Sequence, residues 1–181
     1  EQEEREKLRN QANGQQVTLV GFCDLVGFTS FLNRHGDEKA KKVLQKFNDM
    51  VRSGLSSFDG TEIKQLGDGF MFSFTSSQNA IKGALAFREG LQRINSENDI
   101  DLSIRIGIHA GEVIREDDDI IGSAVNMAER IMKEASTDQI VVSETFRRLT
   151  NAGDRFEFVE LGERDLKGFR GDRKVYEVRE V

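Results

Sequence analysis

Apolar residues follow three rhythms along this chain, and each rhythm predicts a different element. Val17-Thr18-Leu19-Val20 leads into Phe22-Cys23-Asp24-Leu25-Val26-Gly27-Phe28-Thr29, which reads as a buried strand, a turn and a helix start. Ala40, Val43, Leu44, Phe47, Val51 and Leu55 recur at helical spacing with lysines between them, predicting an amphipathic helix over 37–57. Ala80, Ala84, Leu85, Phe87, Leu91 and Ile94 predict another over about 77–95. Strands over 61–66 and 69–74 are joined at Gly67-Asp68-Gly69, where Asp-Gly between apolar runs signals a tight hairpin. From Ile100 to Ala110 every second residue is apolar, the period of a strand, and a shorter strand follows over 112–115. A polar turn over 115–119 leads to a third helix at about 122–135. Ile140-Val141-Val142 reads as a strand, 143–149 as a short helix, and 156–161 and 174–179 as strands flanking the loop with Lys167-Gly168.

The resulting order is βαββαβ with a C-terminal extension. It predicts an α+β fold of ferredoxin-like arrangement, with additional C-terminal strands and helices mostly on one face of the sheet. Length adds that 181 residues suit one domain with a sizeable core. A net charge of -6 argues against a nucleic-acid partner but leaves room for a small nucleotide held by local cations. A single cysteine, Cys23, excludes an internal disulfide, and its strand predicts a buried thiol. No apolar run approaches the ~20 residues of a membrane helix. The charged stretch from Glu1 to Arg9 reads as the tail of a helix entering from an upstream region.

Several residues could carry chemistry, and each has a plainer reading. Asp24 stands before a glycine and a helix-starting threonine, where a metal-bound phosphate could meet free N–H groups; Asp or Thr there also serves as a simple N-cap. Asp68 could meet Asp24 at one sheet edge and form a hard-oxygen site for Mg²⁺ or Mn²⁺, or be a turn residue only. Lys64 by itself is a surface strand lysine. Asn126 and Arg130 share a helix face, fit for a ribose and a phosphoryl oxygen or merely for solvent.

Taken together and in order, Phe22-x-Asp24-x-x-Gly27-Phe28-Thr29, Lys64-x-x-Gly67-Asp68, Arg105-x-Gly107-Ile108-His109-x-Gly111 and Asp119-x-x-Gly122-x-x-Val125-Asn126-x-Ala128-x-Arg130 carry a resemblance. The chain resembles the class III nucleotidyl cyclase catalytic domain, the family of adenylyl and guanylyl cyclases, from about residue 17 to residue 178. The resemblance implies a class III cyclase fold over 17–181, preceded by a charged linker or helix over 1–16. It implies that Asp24 and Asp68 hold two Mg²⁺ or Mn²⁺ ions and that Leu25, Val26, Gly27, Phe28 and Thr29 wrap the phosphates. Lys64 and Asp119 match the pair that reads the purine. Guanylyl cyclases generally carry Glu and Cys there, so this pair points to ATP.

By the same resemblance Asn126 orients the ribose and Arg130 stabilises charge on the attacked α-phosphate. Arg105 lies near the terminal phosphates, although its place on a strand also fits a structural role, and Lys167 grips the triphosphate. The implied protein is a homodimeric adenylyl cyclase making 3′,5′-cyclic AMP and pyrophosphate. One subunit would supply Asp24, Asp68 and the phosphate loop; the other would supply Lys64, Asp119, Asn126, Arg130 and Lys167. A cytoplasmic catalytic domain under an upstream sensor or regulatory domain is expected, with any membrane contact made through the parent protein. Two departures stand out. Glu129 replaces the family's usual Ser or Ala, and the stretch from His109 to Asp119 is short, as where the dimer arm is reduced. A weakly active nucleotide-binding regulatory module of the same fold, or a guanylyl cyclase, are the alternative readings.

Overall fold

The structure, a computed structural model, describes residues 15–181 except 152, with side chains from residue 17 onward except 152 and 172. The strand expected from Val17 begins two residues earlier and runs longer, as β1 (Gln15–Val26). The boundary expected between residues 16 and 17 therefore falls inside a strand, and the helix expected before it lies outside the described residues. Helices α1 (Phe28–His35) and α2 (Asp37–Ser57) follow, then strands β2 (Thr61–Leu66) and β3 (Gly69–Phe74). Helix α3 (Ser77–Asn98) outlasts its expected end by three residues; Asp99, in the left-handed region, ends it. The remaining elements are β4 (Ser103–Glu116), β5 (Asp119–Ile121), α4 (Ser123–Glu134), β6 (Ile140–Ser143), α5 (Glu144–Leu149), β7 (Phe156–Asp165) and β8 (Asp172–Glu180).

The strands form one sheet in the order β2-β3-β1-β4-β6-β8-β7, with β5 pairing β4. The first four in space, β4-β1-β3-β2, are the expected ferredoxin-like core, antiparallel throughout, and the C-terminal strands extend it beyond β4. Two of the expected strands, over 100–110 and 112–115, are in fact one. Gly111 does not interrupt β4, because that residue pairs with Thr18 of β1 and the ladder continues to Gln15. The terminal strands are also longer than expected, so Lys167-Gly168 lies in a tight connection between β7 and β8.

Alternation along β1 divides the interior. Leu19, Cys23 and Leu25 join Phe70, Phe72, Ile104, Ile106 and Ile108 against α2 and α3, whose Phe47, Val51, Ala84 and Phe87 are buried. Val20 and Phe22 point the other way and join Met71, Val113 and Ile120 under α4. Among the described residues four helices therefore cover one face and α4 alone the other. A methyl group at Gly107 would run into the backbone nitrogen and Cα of Met132, so α4 lies directly on a bare stretch of β4.

Candidate active site

Asp24 lies within β1 rather than at its end, paired across the ladder with Gly69 on one side and Arg105 on the other. The hairpin loop is Gly67-Asp68, with Gly67 at φ 61°, the left-handed region, while Gly69 opens β3. The Asp-Gly pair is thus not the turn itself. Gly69 is glycine because a Cβ there would press on the Cys23 carbonyl oxygen and on Asp24 Cβ. That closeness brings the loop onto β1, where the Leu25 N–H donates to the Asp68 carbonyl at 3.2 Å. Burial and the charge of Asp24 raise the Asp68 carboxyl from its ordinary value, against the pull of its own N–H and of Arg105. The two partly buried carboxylates repel one another and share one nearby cation, Arg105.

The fork of Arg105 closes on Asp24: Nε donates to Oδ1 at 3.0 Å and Nη2 to Oδ2 at 2.8 Å. The side chains are only 29% and 24% exposed, so solvent screens the pair less than a surface ion pair. Arg105, expected near the terminal phosphates or in a structural role, is held on an acidic partner that its sequence position does not name. Its period-two position put it on the polar face of β4, but only the β1–β4 register shows that Asp24 faces it.

Beyond Asp24 the chain turns from a strand into a helix. Leu25 and Val26 finish β1, Gly27 takes φ 86°, and α1 begins at Phe28. Gly27 is the N-cap, without any capping side chain, so neither Asp24 nor Thr29 serves as the cap. The first helical bond is Phe31 N–H to the Gly27 carbonyl, which leaves the amides of Phe28, Thr29 and Ser30 ahead of it. No acidic side chain occupies that first turn. Partial positive charge therefore stands open from Phe28, four residues after Asp24.

A second group forms elsewhere. Lys64 on β2 donates to Asp119 Oδ2 at 3.1 Å, and the Ile120 N–H donates to Asp119 Oδ1 at 2.8 Å. Lys64 foremost, then that amide, lowers the Asp119 carboxyl from its ordinary value. Of the three consecutive aspartates, Asp117 takes φ 52° in the turn and Asp119 opens β5, so Asp119 is the one aimed at Lys64. On α4, Asn126 is exposed and Arg130 half-buried, while Ala124, Ala128 and Met132 pack beneath. Glu129 pairs with Lys133 at 3.1 Å and not with Arg130. Lys167 is exposed beside Leu166, which is buried and anchors the β7–β8 connection.

The chain therefore joins Asp24 with Asp68 and Arg105, and Lys64 with Asp119. Among the described residues no hydrogen bond or ion pair links these two groups, and none engages the side chains of Asn126, Arg130 or Lys167. Nor do three His, Cys, Asp or Glu side chains cluster as a closed metal cage among the described residues. Two carboxylates fit a hard divalent ion that keeps waters and takes phosphate oxygens as its other ligands, the habit of Mg²⁺. One pair escaped the sequence reading altogether: His109 Nδ1 lies 2.8 Å from Ser143 Oγ, and burial, with Arg173 nearby, lowers the His109 pKa to about 4. No sequence signal marked it, because His109 shares the polar parity of Arg105 along β4.

The family model described as "Adenylate and Guanylate cyclase catalytic domain" matches residues 10–180. An adenylate cyclase of Streptomyces coelicolor is 28% identical over 127 residues, 70% of this chain and 32% of that protein. A Rhizobium meliloti relative named as an adenylate cyclase is 26% identical over 84% of the chain, which spans only 26% of that protein's length. Among solved structures, the adenylyl cyclase CyaB from P. aeruginosa superposes with TM-score 0.82 at 23% identity, over 91% of this chain and 95% of that one. The GTP complex of the guanylate cyclase domain of RhGC from Catenaria anguillulae gives TM-score 0.82 at 19% identity, over 92% and 98%. These likenesses establish the fold, and adenylyl and guanylyl cyclases share it. No helix among the described residues is long and apolar enough to cross a membrane.

Proposed function

The chain belongs to the adenylate and guanylate cyclase catalytic-domain family, class III, and on that premise we propose that it converts ATP to 3′,5′-cyclic AMP and pyrophosphate. The observation that carries this reading is the meeting of Asp24 and Asp68 beside the uncapped amino end of α1. That arrangement offers acidic oxygens and open N–H groups together, as a triphosphate bearing divalent cations requires. Two Mg²⁺ or Mn²⁺ ions held by Asp24 and Asp68 would supply the Lewis acidity that favours the 3′-oxyanion and offsets phosphate charge.

The chain's own residues supply position and charge. The segment from Leu25 to Thr29 wraps the phosphates, with the amides of Phe28 and Thr29 donating, since the Leu25 N–H is held by the Asp68 carbonyl. Asn126 holds the ribose so that its 3′-oxygen stands in line with the α-phosphorus, and Arg130, with no acidic partner among the described residues, meets the charge that builds on the attacked phosphoryl group. Lys167 and Arg105 hold the outer phosphates. Lys64 and Asp119 present one donor and one acceptor side by side, matching an adenine ring nitrogen and exocyclic amine. A base of opposite pattern would set donor against donor and acceptor against acceptor.

The two groups of residues do not meet within one chain, which supports a site shared between two subunits of a homodimer. The acid pair and phosphate loop come from one; Lys64, Asp119, Asn126, Arg130 and Lys167 come from its partner. The pairing of Glu129 with Lys133 leaves Arg130 available, so the unusual Glu129 is no reason to read the chain as an inactive module. A cytoplasmic catalytic domain governed by an upstream segment fits relatives several times longer than the matched region. The test is cyclic nucleotide production from ATP and from GTP across a range of protein concentrations. Cyclic AMP production with a specific activity that rises with concentration supports the proposal; turnover of GTP alone, or of neither nucleotide, overturns it.

A further inference from the structure

The Asp24–Arg105 pair has a consequence for metal entry that rests on the reading of Asp24 and Asp68 as ligands. Both oxygens of Asp24 are already engaged by the Arg105 fork, at 3.0 and 2.8 Å. Asp24 and Arg105 are direct partners across β1 and β4, so the pair is built into the sheet and not a chance encounter of mobile side chains. Beside them sits Asp68, whose carboxyl feels Asp24 as a repulsion and Arg105 as an attraction. One guanidinium thus serves two carboxylates. A divalent cation arriving at the same oxygens meets a resident cation that is permanently charged and bidentately held. The two cannot share Asp24 without strong repulsion in a region only a quarter exposed.

We propose that Arg105 is the exchangeable counter-ion of the Asp24–Asp68 pair: it blocks the pair against divalent cations in the nucleotide-free chain and leaves Asp24 when a cation and a triphosphate enter together. The exchange is balanced in charge. The cation replaces the guanidinium on the carboxylates, and the freed guanidinium finds a new anion in the phosphates that arrive with it. Cation alone would therefore bind weakly, and cation with nucleotide cooperatively, because only the nucleotide offers Arg105 a replacement partner. Such a chain is protected from holding a metal ion idly when no substrate is present.

The probe is Mn²⁺ without nucleotide, its free fraction read by electron paramagnetic resonance, against the wild-type chain, Arg105→Gln and Asp24→Asn. Gln keeps much of the side-chain length and removes the charge. Arg105→Gln is expected to bind Mn²⁺ at least about 10-fold more tightly than wild type, and Asp24→Asn to lose the site. Equal or weaker binding by Arg105→Gln, with Asp24→Asn still impaired, overturns the counter-ion role and leaves the acid pair standing as metal ligands. Binding that ignores Asp24 overturns the metal site itself and the counter-ion role with it. A second readout needs no variant at Arg105. In wild-type protein the Arg105 Nε–H, held on Asp24, should exchange slowly with solvent by NMR and lose that protection as Mg²⁺ saturates the site. Protection that persists at saturation overturns the proposal even if Arg105→Gln fails to fold.

Discussion

Replacing His109 should remove a specific acid sensitivity from the fold. His109 extends from β4 toward Ser143, whose hydroxyl also accepts the Phe146 N–H at the start of α5. That arrangement favours a neutral imidazole with Nδ1 accepting from the Ser143 hydroxyl. Burial first, and Arg173 second, lower its pKa from 6.5 to about 4. Unfolded chains therefore bind more protons than folded ones between these values. The stabilising contribution is complete above about pH 6.5 and is lost as pH falls toward 4. At about 1.4 kcal/mol per pH unit across that window, descent from pH 7 to pH 5 costs about 2 kcal/mol through this one group. Urea unfolding at the two pH values measures it directly, on wild type and on His109→Gln, whose amide can still reach Ser143. The quantity to compare is each protein's own loss between pH 7 and pH 5, at equal m values, so any uniform destabilisation of the variant cancels. His109→Gln should lose about 2 kcal/mol less than wild type. Equal losses in the two proteins would refute the assignment of a buried neutral imidazole.

Two further outcomes follow from the site. Gly69→Ala forces a methyl onto the Cys23 carbonyl, backbone that cannot rotate away, and should cost about 1–3 kcal/mol in thermal or urea unfolding; it should also part the Asp68 loop from Asp24, so turnover falls further than the folded fraction does. The double substitution Lys64→Glu with Asp119→Cys exchanges the donor and acceptor offered to the base and should move preference from ATP toward GTP, and an unchanged ratio of the two specific activities would contradict the base-reading role.

How much of this was legible in the residues differs from element to element. The helix over 37–57 and the hairpin strands at 61–66 and 69–74 were readable to the residue, because strong periodicity and a glycine-marked turn define both ends. β4 was read as two strands because Gly111 and Glu112 break the alternation locally; what holds the strand together is its ladder to β1, a long-range fact. The identity of the turn at Gly67-Asp68 was also hidden, since Asp-Gly chemistry and a close approach by glycine look alike in a sequence. The acid pair and the Lys64–Asp119 pair were expected as sets of residues, and the structure brings each set together. The Arg105–Asp24 fork and the His109–Ser143 pair could not be read, because each depends on which residues two distant strands place opposite one another.

The central claim is that one active site is assembled from two copies of the chain, and mixing two inactive proteins tests it most directly. Asp24→Ala destroys the acid half and Arg130→Ala the phosphate-charge half, so each homodimer should be inactive. A heterodimer of the two contains one site with both halves intact. Equal amounts, allowed to exchange subunits, should recover about a quarter of wild-type cyclic AMP production, because about half the dimers are mixed and each carries one working site of two. Two inactive variants that recover nothing on mixing, although subunit exchange is verified, would contradict the shared site.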